Sequence, residues 1–431
     1  MAVGVRRSRV PRLTGLWRNR DFLKLWTGQT VSKFGSGITG NALPLTAVLV
    51  LGASPSQMGL LVAARAAPVA VVGLFAGVWV DRLRRRPVMI WADLGRAALL
   101  ASIPAAAVFG HLRIEHLFLV AALAGVLTVF FDVAYQSCVP DLVNREHILE
   151  ANSKLATADA LAEITTPGLT GVLVQVISAP MALLVDALSF VWSALFVGTI
   201  SAAERPPAAS ASQHRVGSEI TQGLQAVTGN PLLRSLAGYA ATRSFFGNFI
   251  GPLYTLYALR ELDLGPVLLG ITIGVGGVSN LLGTVLVGPV TRRLGIGRTI
   301  VGAVVIGGIA TLLIPLASGP VAVAFALLVA ALAFDVIYPL YDVNALSVRQ
   351  SVTPDALLGR VNASMQVLEG GFAPLGALAG GLLGDLLGVR PTLLIAGLGI
   401  TVSALWLALS PVRSLGLPAT PSTALPALSD M

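Results

Sequence analysis

The sequence predicts an all-α membrane protein, because it is strongly apolar and is divided into long hydrophobic runs. Of its 431 residues, 55% are hydrophobic and only 12% are charged, unlike a soluble globular domain. Each run is about 20 residues or longer, enough to cross a hydrocarbon core of ~30 Å at about 1.5 Å per helical residue. Backbone groups in lipid must be bonded within their own segment, and the runs are too long for barrel strands, so we predict helices.

Twelve helices are predicted to cross the membrane. They cover residues 22–51, 57–80, 87–109, 114–138, 147–178, 180–203, 232–259, 265–290, 297–317, 319–348, 357–388 and 390–412. Basic residues concentrate before the first span and in every second loop, whereas the opposite loops hold only Arg113, Arg260 and Arg390. Because positively charged loops stay in the cytoplasm, both termini are expected there, in a multi-pass protein of the cell membrane. This bias also explains the net charge of +8, so no nucleic-acid partner is predicted.

No enzyme active site is predicted. The lysines Lys24, Lys33 and Lys154 lie outside any phosphate-binding Gly-Lys loop, and the four histidines form no H-E-x-x-H pattern for zinc. The single cysteine, Cys138, excludes an intramolecular disulfide and a cysteine-based metal cluster. We therefore expect no catalytic residue, no metal and no cofactor, and an ion gradient as the energy source.

The chain is predicted to consist of two related halves. The sequence Phe131-Asp-Val-Ala-Tyr135 returns as Phe334-Asp-Val-Ile-Tyr338, and other residues repeat at a similar offset, which indicates a duplication. Each half is expected to hold six helices, with the substrate path between the halves. Ser218 is predicted to cap a short interfacial helix in the polar linker. The predicted regions are 1–203 and 232–412 for the halves, 204–231 for the linker and 413–431 for a disordered cytoplasmic tail.

A dense cluster of charge separates the second and third spans. It reads Gly77-Val-Trp79-Val-Asp81-Arg82-Leu-Arg84-Arg85-Arg86-Pro87. This G-x-x-x-D-R core followed by basic residues resembles the corresponding loop of the major facilitator superfamily. Trp79 and the arginine run resemble most the drug:proton antiporter type, in the branch of macrolide-efflux proteins and siderophore (enterobactin) exporters. Further matching segments are Asn19-Arg20-Asp21-Phe22, Pro140-Asp141-Leu142-Val143 and Asn230-Pro231-Leu232-Leu233.

The resemblance implies a mechanical role for this loop. Gly77, Asp81, Arg82 and Arg86 are the expected gating residues, with Asp81 and Arg82 bracing the second span against the eleventh in the outward-open state. The alternative is that the arginine run only fixes topology. The copy near Gly288 has lost the acid, which predicts a weaker lock in the second half.

The fifth span carries the expected hinge. Pro167, Gly168 and Gly171 resemble the Gly- and Pro-rich motif of facilitator-type exporters, and such residues allow close helix approach and bending. One family feature is missing. The arginine that these antiporters often carry in the fourth span has no counterpart between Ile114 and Val139.

Ionisable side chains inside the spans are the candidates for binding protons or substrate, because a charge in lipid is costly unless it faces a cavity or a partner. The acidic candidates are Asp132, Asp335, Asp342, Glu369, Asp159 and Glu163, the expected basic partners are Lys33, Arg65, Arg96 and Arg243, and Asp93 is a further acid inside a span. Lys154, Asp186 and Asp385 are close to predicted span ends and are set aside.

Facilitator folds line their cavity with the first, fourth, seventh and tenth spans, so the resemblance places Asp132 and Asp335 on facing walls. Asp335, Tyr338 and Asp342 are spaced to share one helical stripe, which suits a proton or a cationic substrate. Static pairing of each acid with a basic partner is the alternative. On the fifth span, Asp159 and Glu163 would repel if both were ionised, so one is expected to be protonated or bridged to Lys33 or Arg65.

The sequence therefore predicts a secondary active transporter that exports an amphipathic small molecule, such as a drug, an antibiotic or a siderophore. Alternating access in exchange for protons is the expected mechanism, and efflux rests on the family resemblance. An uptake permease or uniporter of the same fold and a non-transporting membrane sensor are the alternatives. The expected partners are a small-molecule substrate, protons and the lipid bilayer, and a monomer is expected.

Overall fold

The computed structural model describes residues 16, 19–80, 83–143, 145–201 and 216–416, and its regular structure in these ranges is helical. The helices are α1 (Arg20–Leu49), α2 (Pro55–Val80), α3 (Arg85–Val108), α4 (Ile114–Leu142), α5 (Ile148–Ile177), α6 (Ala179–Gly198), α7 (Val216–Gly229), α8 (Pro231–Leu256), α9 (Pro266–Leu294), α10 (Ile296–Thr311), α11 (Leu313–Leu316), α12 (Val321–Ala333), α13 (Tyr338–Val352), α14 (Asp355–Leu387), α15 (Val389–Ser403) and α16 (Leu405–Ala408). Short 3-10 turns cover Arg145–His147, Phe334–Ile337 and Pro411–Ser414, and a π-helical turn covers Tyr257–Glu261.

Ten segments of the described chain are long and apolar enough to cross a membrane. They are Pro55–Gly73, Arg85–Val108, Ile114–Pro140, Ile148–Ile177, Ala179–Gly198, Pro266–Leu294, Ile296–Leu316, Val321–Val352, Leu357–Leu387 and Val389–Ala408. The helices α1 and α8 have 30 and 26 residues and are not among the ten. The prediction of an all-α membrane protein is confirmed, whereas the count of twelve spans and the cytoplasmic termini stay predictions.

Contacts between Cα atoms divide the chain into two compact units. The first unit holds Met1–His214 with Tyr254–Gly274, and the second holds Arg215–Leu253 with Val275–Met431. Each unit has an apolar core of its own, which includes Phe22, Met89 and Phe131 in the first unit and Tyr239, Ile300 and Met365 in the second. The predicted halves, with boundaries at residues 203 and 232, stay a proposal.

Glycines on α1 let two neighbouring helices of the first unit approach closely. A Cβ at Gly37 would overlap the Thr166 side chain on α5, and a Cβ at Gly35 would overlap Asp186 and Ser189 on α6. The side chains of Thr166, Asp186 and Ser189 are all buried. The sequence of α1 therefore determines how polar side chains of α5 and α6 are packed.

The predicted hinge residues lie in α5, which runs continuously from Ile148 to Ile177. Their backbone packs against the beginning of α9, where a Cβ on Gly171 would overlap Pro266 and a Cβ on Gly270 would overlap Pro167. Close helix approach, one of the two effects expected of these residues, is therefore present. Bending at Pro167 and Gly168 stays a prediction.

The repeated Phe-Asp-Val motif has a different backbone in each unit. The first copy lies within the continuous helix α4, whereas the second forms the 3-10 turn between α12 and α13. Pro339 explains the difference, because it has no N–H to donate to the carbonyl of Asp335, four residues earlier. The N–H of Tyr338 donates to that carbonyl instead. In the first copy Gln136 has the place of Pro339, so the helix continues.

Glycines of α9 and α10 surround this turn. A Cβ at Gly276 would come 2.7 Å from Oδ2 of Asp335, and a Cβ at Gly307 would come 2.9 Å from Cδ1 of Ile337. A Cβ at Gly283 would overlap the carbonyl oxygen of Val336. The turn is therefore packed closely against glycine backbone of two helices.

Replacing Gly283 by Ala is expected to destabilise the protein by about 1–3 kcal/mol, because the added methyl group must displace the carbonyl of Val336. Thermal unfolding of the purified protein checks this prediction. Gly302→Ala is the matched control, since a Cβ there meets nothing within 4 Å. Equal unfolding temperatures of the two variants would contradict the packing described for the turn.

The linker helix α7 packs against α14 in the second unit. Arg360 donates a hydrogen bond of 2.7 Å to the Gln222 side chain, and Val227 is buried in the core of this unit. The helix begins at Val216, so Ser218 lies inside it and does not precede it as a cap. The linker before Val216 lies outside the described residues.

The end of the structured chain packs against α10. The N–H groups of Ile296 and Gly297 donate to the carbonyls of Gly416 and Leu415, and Val412 is fully buried. Residues 413–416, assigned by prediction to a disordered tail, therefore belong to the folded unit. Residues 417–431 lie outside the described residues.

Candidate functional site

The charged loop between α2 and α3 is described only in part. Gly77 lies near the end of α2, and Asp81 and Arg82 lie outside the described residues. Arg86 donates a hydrogen bond of 2.8 Å to the carbonyl of Ile200, just after α6, and Arg85 donates one of 2.9 Å to the carbonyl of Ser137 on α4. Basic side chains on the last carbonyls of a helix stabilise that end. These contacts give the arginine run a packing role, and gating stays a prediction.

A cavity of about 430 Å³ lies within the second unit. It is lined by residues of α8, α10 to α12, the 3-10 turn, the first residue of α13, α14 and α15. Three of the predicted site residues, Asp335, Glu369 and Arg243, line it together. The remaining lining combines polar residues (Ser244, Asn248, Thr311 and Tyr338) with apolar ones (Ala240, Ile250, Ile314, Ala331, Leu332, Phe334 and Ile400). We call this space the second-unit cavity.

Arg243 is the central basic group of this cavity. Its guanidinium carbon lies 4.8 Å from the ring centroid of Tyr338, a cation–π geometry. Its charge also acts on the carboxylates of Asp335, Asp342 and Glu369. The predicted pairing of the acids with Arg243 is therefore electrostatic, through one shared arginine.

The positions of the acids differ from the predicted stripe. Asp335 and Tyr338 both line the second-unit cavity, whereas Asp342, on α13 beyond the 3-10 turn, does not. The turn breaks the regular helical spacing on which the predicted stripe depended. Glu369 takes the place of the second acid, and the hydroxyl of Ser244 donates a 2.7 Å hydrogen bond to its backbone carbonyl, which joins α8 to α14.

The predicted first-unit acids lie in a more open environment. Lys33 and Asp159 form an ion pair at 3.4 Å, with side chains 45% and 50% exposed. Of the alternatives for Asp159, bridging to Lys33 is therefore the one observed. The residues Glu163 and Asp132 are exposed. The charges of Lys33 and Asp159 act on the carboxylate of Asp132. An exposed pair of this kind adds little stability.

A buried group of three charged residues, which we call the Arg96 cluster, was not predicted as a unit. Asp93 and Asp186 are fully buried and Arg96 is 5% exposed. Arg96 forms an ion pair with Asp93 and lies between the rings of Phe131 and Phe190, with centroids 4.4 Å and 4.1 Å from its guanidinium carbon. Its charge also acts on Asp186 and on Asp132.

Asp186 does not reach the interface, although this is expected from its place near a predicted span end, because its side chain is fully buried. Because α6 begins at Ala179, Asp186 lies two helical turns inside the helix, about 10 Å from its first residue. At that depth a short side chain does not reach the interface. The i,i+3 spacing of Asp93 and Arg96 was the available signal for a buried pair in this region.

A smaller cavity of about 210 Å³ adjoins the Arg96 cluster in the first unit. Arg65, Arg96 and Asp186 contribute its charges, and Ser36, Thr39 and Thr128 its hydroxyl groups. We call it the first-unit cavity. Arg65 and Arg96 come from α2 and α3, so basic groups are present in this unit although the fourth span lacks the arginine expected from the family.

Apolar helices that enclose cavities lined by charged side chains define a polytopic membrane transporter. The chain belongs to the Major Facilitator Superfamily, whose sequence profile matches residues 25–377. It is 28% identical to the multidrug efflux pump Tap of Mycolicibacterium fortuitum, over 84% of this chain and 88% of that protein. It is 23% identical to macrolide efflux protein A of Streptococcus pyogenes, over 87% of this chain and 92% of that protein.

Solved structures agree with this fold. The nucleoside transporter NupG superimposes with a TM-score of 0.75 at 13% identity, covering 90% of this chain and 98% of NupG. At that identity the likeness concerns the fold alone. The predicted family and its similarity to drug-efflux proteins are confirmed, and the chain is a multi-pass transporter whose family and relatives are not enzymes.

Proposed function

We propose that this transporter exports an amphipathic small molecule across the cell membrane by alternating access, in exchange for protons. The observation that carries the proposal is the second-unit cavity, which combines apolar walls with Asp335, Glu369 and Arg243. Its volume of about 430 Å³ is typical of small-molecule sites. Two relatives are named for the efflux of multiple drugs and of macrolides.

The cavity chemistry favours a cationic amphipathic substrate. Apolar walls bind the hydrophobic face of a ligand, and an acid in an apolar space binds an organic cation or a proton. Two acids and one arginine leave one negative charge when both acids are ionised. Ser244 and Asn248 supply further hydrogen-bonding groups.

Proton movement supplies enough energy for this task. Exchange of one proton for one monovalent cation moves no net charge, so the pH gradient drives it, and one pH unit is worth about 1.4 kcal/mol, enough for about a tenfold concentration of substrate. Asp132, Asp159, Glu163, Asp335, Asp342 and Glu369 stay the proposed proton or substrate carriers, with Lys33, Arg65, Arg96 and Arg243 as their charge partners. Gly77, Asp81, Arg82 and Arg86 remain the proposed gate, and Pro167, Gly168 and Gly171 the proposed hinge of a monomeric transporter.

Everted membrane vesicles distinguish the proposed function from its alternatives. Ethidium, a permanently charged amphipathic cation, is added outside vesicles whose lumen is acidified by respiration. We expect ethidium to accumulate inside, and nigericin, which dissipates the pH gradient, to release it. A uniporter would only equilibrate ethidium, and a sensor would give no flux above vesicles without the protein. Either result would contradict proton-coupled export of this probe, and a wider panel of compounds then tests the substrate class.

A further inference from the structure

The first-unit cavity contains a carboxylate with an incompletely bonded oxygen. Asp186 lines the cavity and is fully buried. Its Oδ1 accepts a 2.9 Å hydrogen bond from the hydroxyl of Ser189, whereas its buried Oδ2 has no hydrogen bond of ordinary geometry and has the hydroxyl of Thr39 as its nearby donor. A buried ionised carboxylate is costly unless its oxygens are bonded and its charge is balanced. Asp186 therefore has an oxygen that can take up a proton.

The elements packed around Asp186 present mostly basic or neutral groups to it. Arg65 faces it from α2 and Arg96 from α3, and both charges act on Asp186. From α1, Thr39 lines the same cavity and Gly35 packs against the Asp186 side chain. From α4, Thr128 lines the cavity. The two further acids nearby, Asp93 on α3 and Asp132 on α4, act on Arg96.

Asp93, the other fully buried acid, has a different environment. It forms the ion pair with Arg96, and it does not line the first-unit cavity. Asp186 does line the cavity, and so does Arg65, which is exposed. The side chain of Arg65 and the buried carboxylate of Asp186 therefore line one space. Asp93 is held by its ion pair with Arg96, whereas Asp186 faces the cavity.

We propose that the coupling proton binds to Asp186 in the first-unit cavity, and not to the acids of the second-unit cavity. This inference rests on the proposed function and specifies its proton site. Water in the cavity transfers H⁺ to Oδ2, which gives a neutral carboxyl group and leaves Arg65 and Arg96 with one balancing charge fewer. Arg96 also acts on Asp132, so proton uptake at Asp186 changes the field at an acid outside the cavity.

Infrared difference spectroscopy of the full-length protein in lipid tests proton binding without any substrate. Acidification is expected to produce C=O stretches of protonated carboxyl groups, and Asp186→Asn is expected to remove one of these bands. Asp385→Asn, near the end of α14, is the matched control that keeps it. Bands that all keep their wild-type intensity in Asp186→Asn would overturn the proposal.

Transport by the same variants tests coupling. In proteoliposomes, the ratio of gradient-driven ethidium accumulation to ethidium–ethidium exchange is expected to fall at least about tenfold in Asp186→Asn. An unchanged ratio, or an equal loss of both activities, would overturn the coupling role. If the wild type itself does not accumulate ethidium, proton-coupled export of ethidium is contradicted. The infrared band then still shows whether Asp186 binds a proton.

A second variant keeps the test valid if Asp186→Asn does not fold. Ser189→Ala removes the hydroxyl that hydrogen-bonds to the ionised carboxylate, so the carboxyl band should appear at higher pH than in the wild type. Thr199→Ala, which removes an exposed hydroxyl just after α6, is its control. Identical pH profiles of Ser189→Ala and the wild type would overturn the assignment.

Discussion

Replacing Asp335 by Asn is expected to lower the affinity for ethidium at least about tenfold, a loss of about 1.4 kcal/mol of binding free energy. Asn keeps the shape of the side chain packed against Gly276 and removes the negative charge that faces the second-unit cavity. Ethidium–ethidium exchange and gradient-driven ethidium accumulation should therefore both decrease. Equilibrium binding of ethidium to the purified protein measures the affinity directly.

The same measurement on other acids shows where the substrate binds. Glu369→Gln, which changes the second acid of the cavity, should also weaken ethidium binding, whereas Glu115→Gln in the first turn of α4 should not. Wild-type transport in both Asp335→Asn and Asp132→Asn would contradict the role given to these acids. If Asp335→Asn lost gradient-driven ethidium accumulation but kept ethidium–ethidium exchange, the proton site would lie in the second unit and not at Asp186.

Replacing Arg96 by Met is expected to destabilise the protein by about 3–5 kcal/mol, because it leaves the fully buried Asp93 without its ion-pair partner and Asp186 with Arg65 alone. The loss of contact with the rings of Phe131 and Phe190 adds to this effect. Thermal unfolding in detergent measures it. Arg113→Met, an exposed arginine before α4, is the matched control.

A double variant separates charge balance from packing. If Asp93→Leu is combined with Arg96→Met, the ion pair is replaced by apolar groups and much of the stability should return. The recovery is the coupling between the two sites. Equal unfolding temperatures of Arg96→Met and the wild type would show that the Arg96 cluster contributes no stability.

Much of the fold could be predicted because its causes are local in the sequence. Long apolar runs predict helices, and the apolar span that contains Asp335 was placed correctly. The break inside it was not, although Pro339 is visible in the sequence. A proline within a membrane span can leave the helix intact or break it, and the neighbouring helices decide which. Here the backbone of Gly276 and Gly283 makes room for the 3-10 turn.

The candidate site could be predicted only where depth in a span was enough. Asp335, Glu369 and Arg243 are far from span ends, and they do line one cavity. The burial of Asp186 beside Arg65 and Arg96 was not predicted, because it depends on where α6 begins and on side chains from other helices. Contacts of this kind depend on tertiary packing, which one sequence does not reveal.

The most direct test of the account follows ethidium and protons in the same proteoliposomes. Purified wild-type protein is reconstituted into vesicles with an acidic interior and a trapped pH dye, and ethidium is added outside. The account predicts that ethidium enters while the interior becomes more alkaline with the same time course, and that Asp335→Asn loses both signals. Ethidium entry without proton movement would contradict proton-coupled export.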